Sequence, residues 1–329
     1  MPKRIDTFVS ENRTNIQRID ATFVPVSGQN NQTLTFSGNN IRVEVEIRVY
    51  TRSLNDNLVS GHPDGNTHGS GHGVAGDFRG SWSLVEDVEE SDDFVQSGRN
   101  SLRDALGGSN TDYFGETAVG TGTTGAIPPD SSLESETGSA FAWGEAGSSA
   151  NISVANSIFL FSEFGDSVSE YGVFSASDLL YNRITTTSVN PGDSEELRVE
   201  TEFTVTGDGV GNSAITDDGE ELIALTLRDS DTPVGLNEIA FGSGNAPPQE
   251  SDTSLDTEEF RKNVERELSS ETITAHTVVF QNEPSSQPVD IQEVGVYDNG
   301  GNLLWRTVID QFTKNEDVEF DTFVGFSIR

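Results

Sequence analysis

The sequence predicts an all-β chain. An N-terminal β region, residues 1–90, is followed by two tandem homologous antiparallel β-sandwiches of jelly-roll type, 91–211 and 212–329, each with one or two short helices. Three observations predict it. Apolar and polar residues alternate in many short runs, the period of half-buried strands. Turn signals such as NPGD (Asn190 to Asp193) punctuate these runs at roughly ten-residue spacing, as in sandwiches. Finally, AVGTGTTGAIPPDSSLESE (Ala118 to Glu136) returns as AFGSGNAPPQESDTSLDTE (Ala240 to Glu258). Gly120, Gly122, Asp130, Leu133 and Glu136 are answered by Gly242, Gly244, Asp252, Leu255 and Glu258. Self-similarity at a fixed period marks a duplicated unit.

The likeness extends beyond that stretch. SEYGVFSASDLLYNR, with Gly172, has the counterpart QEVGVYDNGGNLLWR, with Gly295. FVQSGRNSLRDALGG parallels AITDDGEELIALTLRD. The unit is roughly 115 residues, an ordinary domain size.

From the N-terminus, Met1 to Asp20 is polar and is expected to be an arm that orders on a partner. ATFVPV, QTLTFSG and IRVEVEIRVYT read as strands, the last alternating Ile41, Val43, Val45, Ile47 and Val49 with polar neighbours. GSWSLVEDVEE returns to strand pattern after a Gly-rich loop. FVQSGRNSLRDALGG predicts a short helix stopped at Gly107 and Gly108. After each glycine turn, Ser131 with Glu134 and Thr253 with Asp256 read as capping boxes that open a helix, longer in the second copy as LDTEEFRKNVERELSS. Alternating runs then complete each repeat, and DNGGN (Asp298 to Asn302) predicts a hairpin turn.

Composition bounds the function. There are 55 acidic against 19 basic residues, a net charge of −36, and only three lysines: Lys3, Lys262 and Lys314. Self-repulsion on that scale opposes a compact state unless salt screens it, so the chain reads as a protein of a salt-loving organism or its virus. Nucleic acid is not an expected partner, since its phosphates call for a basic face. Cysteine is absent, no apolar run is long enough to span a membrane, and the N-terminus has no signal-peptide core.

Few residues point to chemistry. His62, His68 and His72, with Asp64, are candidates for a metal site, but their loop holds no regular element to fix ligand spacing. No cofactor is expected. Gly120, Gly122 and Gly125 satisfy G-x-G-x-x-G after a strand, yet the second copy lacks the third glycine and prolines replace the helix. The repeated glycines are read instead as positive-φ strand exits. The repeated Asp and Glu are read as caps and turn formers. No catalytic constellation emerges, so the chain is not expected to be an enzyme, although a glycosidase carboxylate pair is not excluded by counting. His276 reads as a strand residue. Asn12, Asn31 and Asn151 fit N-x-S/T.

The order of motifs, a helix with G-R-N, a strand, AVGTGTT, a Pro-rich loop, DSSLESE, E-x-G-V-F/Y, L-L and a closing strand, resembles structural proteins of tailed viruses, often tail-fibre or other virion proteins. The resemblance covers about Phe94 to Val205 and, less closely, Ala214 to Arg329, where GSGNAPPQE departs from it. It implies a β-rich virion component without cofactor, and acidity then points to a virus of a haloarchaeon. Assembly on symmetry axes implies a homo-oligomer contacting other virion proteins, with host surface glycan or surface-layer protein as a further partner. A capsid turret, spike, tail fibre or baseplate piece, assembled in the host cytoplasm, is the expected role. A glycan-cleaving spike enzyme and a cellular adhesin of a halophile are the alternatives.

Overall fold

Among the described residues the strands gather into three sheets. The computed structural model describes residues 30–53, 82–90, 94–108, 112–127, 129–160, 163–164, 167–192, 195–209, 211–228 and 235–329. The polar arm, ATFVPV and the Gly-rich loop with His62, Asp64, His68 and His72 lie outside the described residues. In chain order the elements are β1 (Asn30–Ser53), β2 (Ser83–Glu90), α1 (Gln96–Leu106), β3 (Phe114–Gly120), β4 (Glu136–Phe141), β5 (Trp143–Ala146), β6 (Ile152–Phe159), β7 (Val168–Ser175), β8 (Leu180–Val189) and β9 (Glu195–Asp208). There follow β10 (Ser213–Ile215), α2 (Asp217–Arg228), β11 (Leu236–Gly242), β12 (Glu258–Asn263), β13 (Glu265–Ser269), β14 (Thr272–Val279), β15 (Val289–Asp298), β16 (Leu303–Lys314) and β17 (Val318–Ile328). The chain is mostly strand, as its alternation predicts.

The largest sheet has the order β13-β14-β17-β1-β9-β6-β5, with β2 also paired to β1. Two smaller sheets, β4-β3-β7-β8 and β10-β16-β15-β11-β12, come one from each repeat. Strand β1 is central: β17 of the second repeat runs parallel to it and β9 of the first runs antiparallel. Both repeats therefore contribute to one sheet. QTLTFSG and IRVEVEIRVYT, read as two strands, are one, because the break between them is a bulge at which Gly38 takes a φ of 91°. Alternation along β1 follows the expected phase. Ile41, Val43, Val45, Ile47 and Val49 are buried, and the other face carries Arg42, Glu44, Glu46 and Arg48.

Aromatic side chains tie the layers. Phe203 of β9 meets Phe114 of β3 at 5.0 Å, Phe320 of β17 meets Phe241 of β11 at 5.2 Å, and Phe36 of β1 meets Trp305 of β16 at 5.3 Å. Each such pair adds about 0.5–1.5 kcal/mol to the area it buries. One continuous core holds residues of all three sheets and both helices.

Helix α1 forms where predicted. It buries Leu102, Ala105 and Leu106 on one face, and at its end Gly107 N donates to Arg103 O and Gly108 N to Ala105 O. Helix α2 starts at Thr216, whose Oγ1 accepts from Gly219 N at 3.1 Å, and Asp217, Asp218 and Glu220 suit the positive end of its dipole. The helices cross between repeats. From α1, Arg99 reaches Glu271 at 3.3 Å and Arg103 donates to Ser270 O, while Arg266 donates to Gly107 O at 2.8 Å. From α2, Arg228 donates to Ile152 O at 2.9 Å, and Glu220 accepts from Gly207 N at 2.7 Å and Asn151 Nδ2 at 3.3 Å. Each helix is thus pinned to the other repeat.

The helices expected after the capping boxes are not there. LDTEEFRKNVERELSS forms β12 and β13, and GSAFAWGEA forms β4 and β5. Cross-strand pairing with β11 and β14, and with β3 and β6, overrides the local helix signal.

Candidate functional site: a duplicated carboxylate–arginine cage

The repeated motif closes around a buried ion pair. Glu170 on β7 and Arg183 on β8 stand one per strand on adjacent antiparallel strands, so their side chains reach the same side of the first small sheet. Glu170 is fully buried and Arg183 nearly so. Glu170 Oε1 accepts from Arg183 Nε at 2.6 Å and Glu134 N at 2.6 Å; Oε2 accepts from Ser135 N at 3.0 Å and Gly122 N at 3.1 Å. The guanidinium continues outward, with Nη1 donating to Asp130 Oδ2 at 2.8 Å and Nη2 to Thr124 O at 2.9 Å. Glu134 Oε2 lies 3.5 Å from Nη2 and accepts from Thr123 N and Thr124 N.

The second repeat rebuilds the cage. Glu293 on β15 accepts from Arg306 Nε at 3.0 Å, Gly244 N at 3.0 Å, Asp256 N at 3.1 Å and Thr257 N at 2.8 Å. Arg306 donates to Asp252 Oδ2 at 2.6 Å and Ala246 O at 3.2 Å, and pairs with Asp256 at 2.9 Å. Aspartate replaces Glu134 here and the contact still forms.

This geometry explains the motif residue by residue. Asp130 and Asp252 also accept from Ile127 N and Gln249 N three residues back, so they are turn formers as predicted, and they hold the arginine besides. Leu133 and Leu255 lie over Gly172 and Gly295, where a Cβ would stand 2.8 Å from the leucine Cδ2. Gly120 and Gly242 would place a Cβ 2.4 Å from Ser135 O and Thr257 O, and Gly122 would place one 2.4 Å from Glu170 Oε2. None of Gly120, Gly122, Gly242 and Gly244 has positive φ, so the strand-exit reading is corrected: these glycines serve close approach of backbone and carboxylate. Glu134 and Asp256, read as helix caps, instead receive loop N–H groups. Glu136 and Glu258 open β4 and β12 outside the cages, and Glu258 pairs with Arg261 at 2.6 Å.

The sequence reading missed Glu170, Arg183, Glu293 and Arg306. A signal was present, because a glutamate and an arginine recur at the same spacing in both repeats, Glu170 with Arg183 and Glu293 with Arg306. Period-two alternation assigns such residues to the solvent face, whereas here both are interior.

Electrostatics fit a clamp. Burial alone would depress the Arg183 guanidinium, but Glu170 and Asp130 hold it above its ordinary value; Arg306 is held up likewise by Asp252 and Glu293. Glu134 is pushed below the ordinary carboxylate range by the Thr124 and Thr123 donors. Every oxygen of Glu170 and Glu293 already accepts, so the arrangement fixes the loops 121–135 and 243–257 on their sheets.

Other singled-out residues stand apart from the cages. His276 stacks on Phe323 at 4.2 Å with Nε2 3.4 Å from Asp321, a strand residue as expected. Asn151 Nδ2 donates to Val205 O at 2.8 Å, so a glycan there would displace a structural bond. Among the described residues no three His, Cys, Asp or Glu gather to hold a metal, and no helix is long and apolar enough to cross a membrane.

No family model, curated protein or solved structure matches the chain.

Proposed function

We propose that the chain is a structural component of a tailed-virus particle of a halophilic host, forming an oligomeric surface appendage such as a capsid turret, spike, tail fibre or baseplate piece. The observation that carries this reading is the duplicated cage. The most strongly repeated residues of the chain hold two surface loops rigidly on a common frame, a design for presenting fixed contact surfaces. The acid excess supports a salt-rich setting, because a net charge of −36 is tolerated where the screening length is short. Its partners in this reading are further copies of itself and other virion proteins, with a host surface glycan or surface-layer protein at the exposed end.

Light scattering on the full chain tests it, in about 2 M salt, where the Debye length is about 2 Å, and again after dilution. A discrete symmetric oligomer in high salt that dissociates or unfolds on dilution is the expected result. A monomer indifferent to salt overturns both the halophilic and the self-assembling parts.

A further inference from the structure

We propose that the loop from Phe280 to Pro288, together with Glu316, is a binding site for a neutral, hydroxyl-rich ligand the size of one sugar ring. This inference does not depend on the particle reading. The loop joins β14 to β15, and a cavity of about 320 Å³ lies there, lined by Gln281, Asn282, Pro284, Ser285, Gln287 and Glu316. That is the low end of the range for small-molecule pockets, about 300–1,000 Å³.

Two of the chain's three lysines stake this loop. Lys262 Nζ reaches Glu283 Oε2 at 2.5 Å, and the same carboxylate oxygen accepts from Phe280 N at 3.1 Å. Lys314 is fully buried, and its ammonium donates to Gln281 O and Asn315 O at 3.0 Å each. Gln287 Nε2 donates to Gln281 O as well, at 2.7 Å. The carbonyl that the wall is hung on is therefore held from two sides. Burying an ammonium costs free energy unless it is well bonded, so its presence under a surface loop is a specific investment in loop shape. A wall fixed beforehand loses little entropy on binding.

Repeat one has the loop hinge but not the stakes. Leu160 N donates to Glu163 Oε2 as Phe280 N does to Glu283, yet Ala140 stands at the strand position of Lys262: it pairs with Thr117 as Lys262 pairs with Ile239. The site belongs to the second repeat.

The lining selects the ligand. Carboxamides and a serine hydroxyl each offer both donor and acceptor, the complement of a sugar hydroxyl, and Glu316 adds an acceptor. Gln287 Oε1 is buried with no hydrogen-bond partner, so a hydroxyl entering with a small shift of the amide satisfies it. Glu283 is neutralised by Lys262, so Glu316 and the net charge are what disfavour an anion. A hard cation is disfavoured because the lining holds one carboxylate, and among the described residues no three His, Cys, Asp or Glu gather to neutralise one. An apolar guest would leave the amides unbonded.

Saturation-transfer NMR on the full chain in high salt tests this, with neutral monosaccharides at about 10 mM, ten times a millimolar Kd, and tetramethylammonium as a cationic probe. At least one sugar is expected to receive saturation. Ser285 and Glu316 are both exposed, so the double variant Ser285→Ala, Glu316→Ala should keep the wild-type melting profile while binding that sugar at least about tenfold more weakly. No transfer to any sugar, undiminished transfer in the variant, or displacement of the sugar by tetramethylammonium would overturn the proposal.

Discussion

Glu170 Oε1 lies 2.6 Å from Arg183 Nε in the first repeat, with both side chains almost wholly removed from solvent. Glu293 and Arg306 restate the pair in the second, with 2.9 Å between Arg306 Nη2 and the carboxylate. A buried pair of this kind adds little net stability over an apolar substitute, but breaking it strands a charge. Its use here is to organise three backbone N–H groups of a long loop, those of Gly122, Glu134 and Ser135 in the first repeat and of Gly244, Asp256 and Thr257 in the second.

Removing one partner should therefore be costly. Arg183→Met leaves Glu170 uncompensated and is expected to lower unfolding free energy by about 3–5 kcal/mol, with Arg306→Met similar. Glu170→Gln, which keeps an acceptor for the loop, should cost less. Urea denaturation at fixed salt ranks the three, and an Arg183→Met midpoint equal to wild type would sink the clamp.

Gly122→Ala and Gly125→Ala separate packing from composition. A methyl at Gly122 would sit 2.4 Å from Glu170 Oε2, whereas one at Gly125 meets nothing within 4 Å. The first should destabilise by about 1–3 kcal/mol and the second should be near neutral. Thermal melts of the two single variants decide it.

Acid should loosen the first cage from its rim. Glu134 has a folded pKa depressed by the Thr124 and Thr123 donors, so its contribution is present above the ordinary carboxylate value and is lost as pH falls through the depressed one. Glu220 is opposite in sign. Burial raises its folded pKa, so its contribution is present at low pH and is lost as pH rises through the raised value. Stability measured against pH should flatten on the acid side in Glu134→Gln, and Glu220→Gln should gain relative to wild type towards neutral pH.

The two repeats should unfold together. Strand β1 lies between β9 and β17, and each helix is pinned to the opposite repeat, so neither can open without exposing the other's core. Melts followed by far-UV circular dichroism and by tryptophan fluorescence, with Trp143 in one repeat and Trp305 in the other, should coincide in one transition. Two separated transitions would show the repeats to be independent.

Salt should raise stability throughout. At a net charge of −36 the midpoint of unfolding is expected to climb steadily from low to molar salt as repulsion is screened. A midpoint that falls with salt would remove the electrostatic account.

By itself the sequence determined the all-β class, the phase of strand β1, helix α1 with its glycine stop, the Asp298 turn and the duplication. These rest on local periodicity and turn chemistry, which act over a few residues. Tertiary structure alone decided the rest. The capping-box segments became strands because ladder partners distant in sequence, β3, β6, β11 and β14, supplied hydrogen bonds that no local propensity outweighs. Glu170 and Arg183 turned inward because the loop carrying Gly122, Asp130 and Glu134 folds back over them. A charge is buried only where its partners converge from separate segments, and that convergence is not written in any one stretch of the chain.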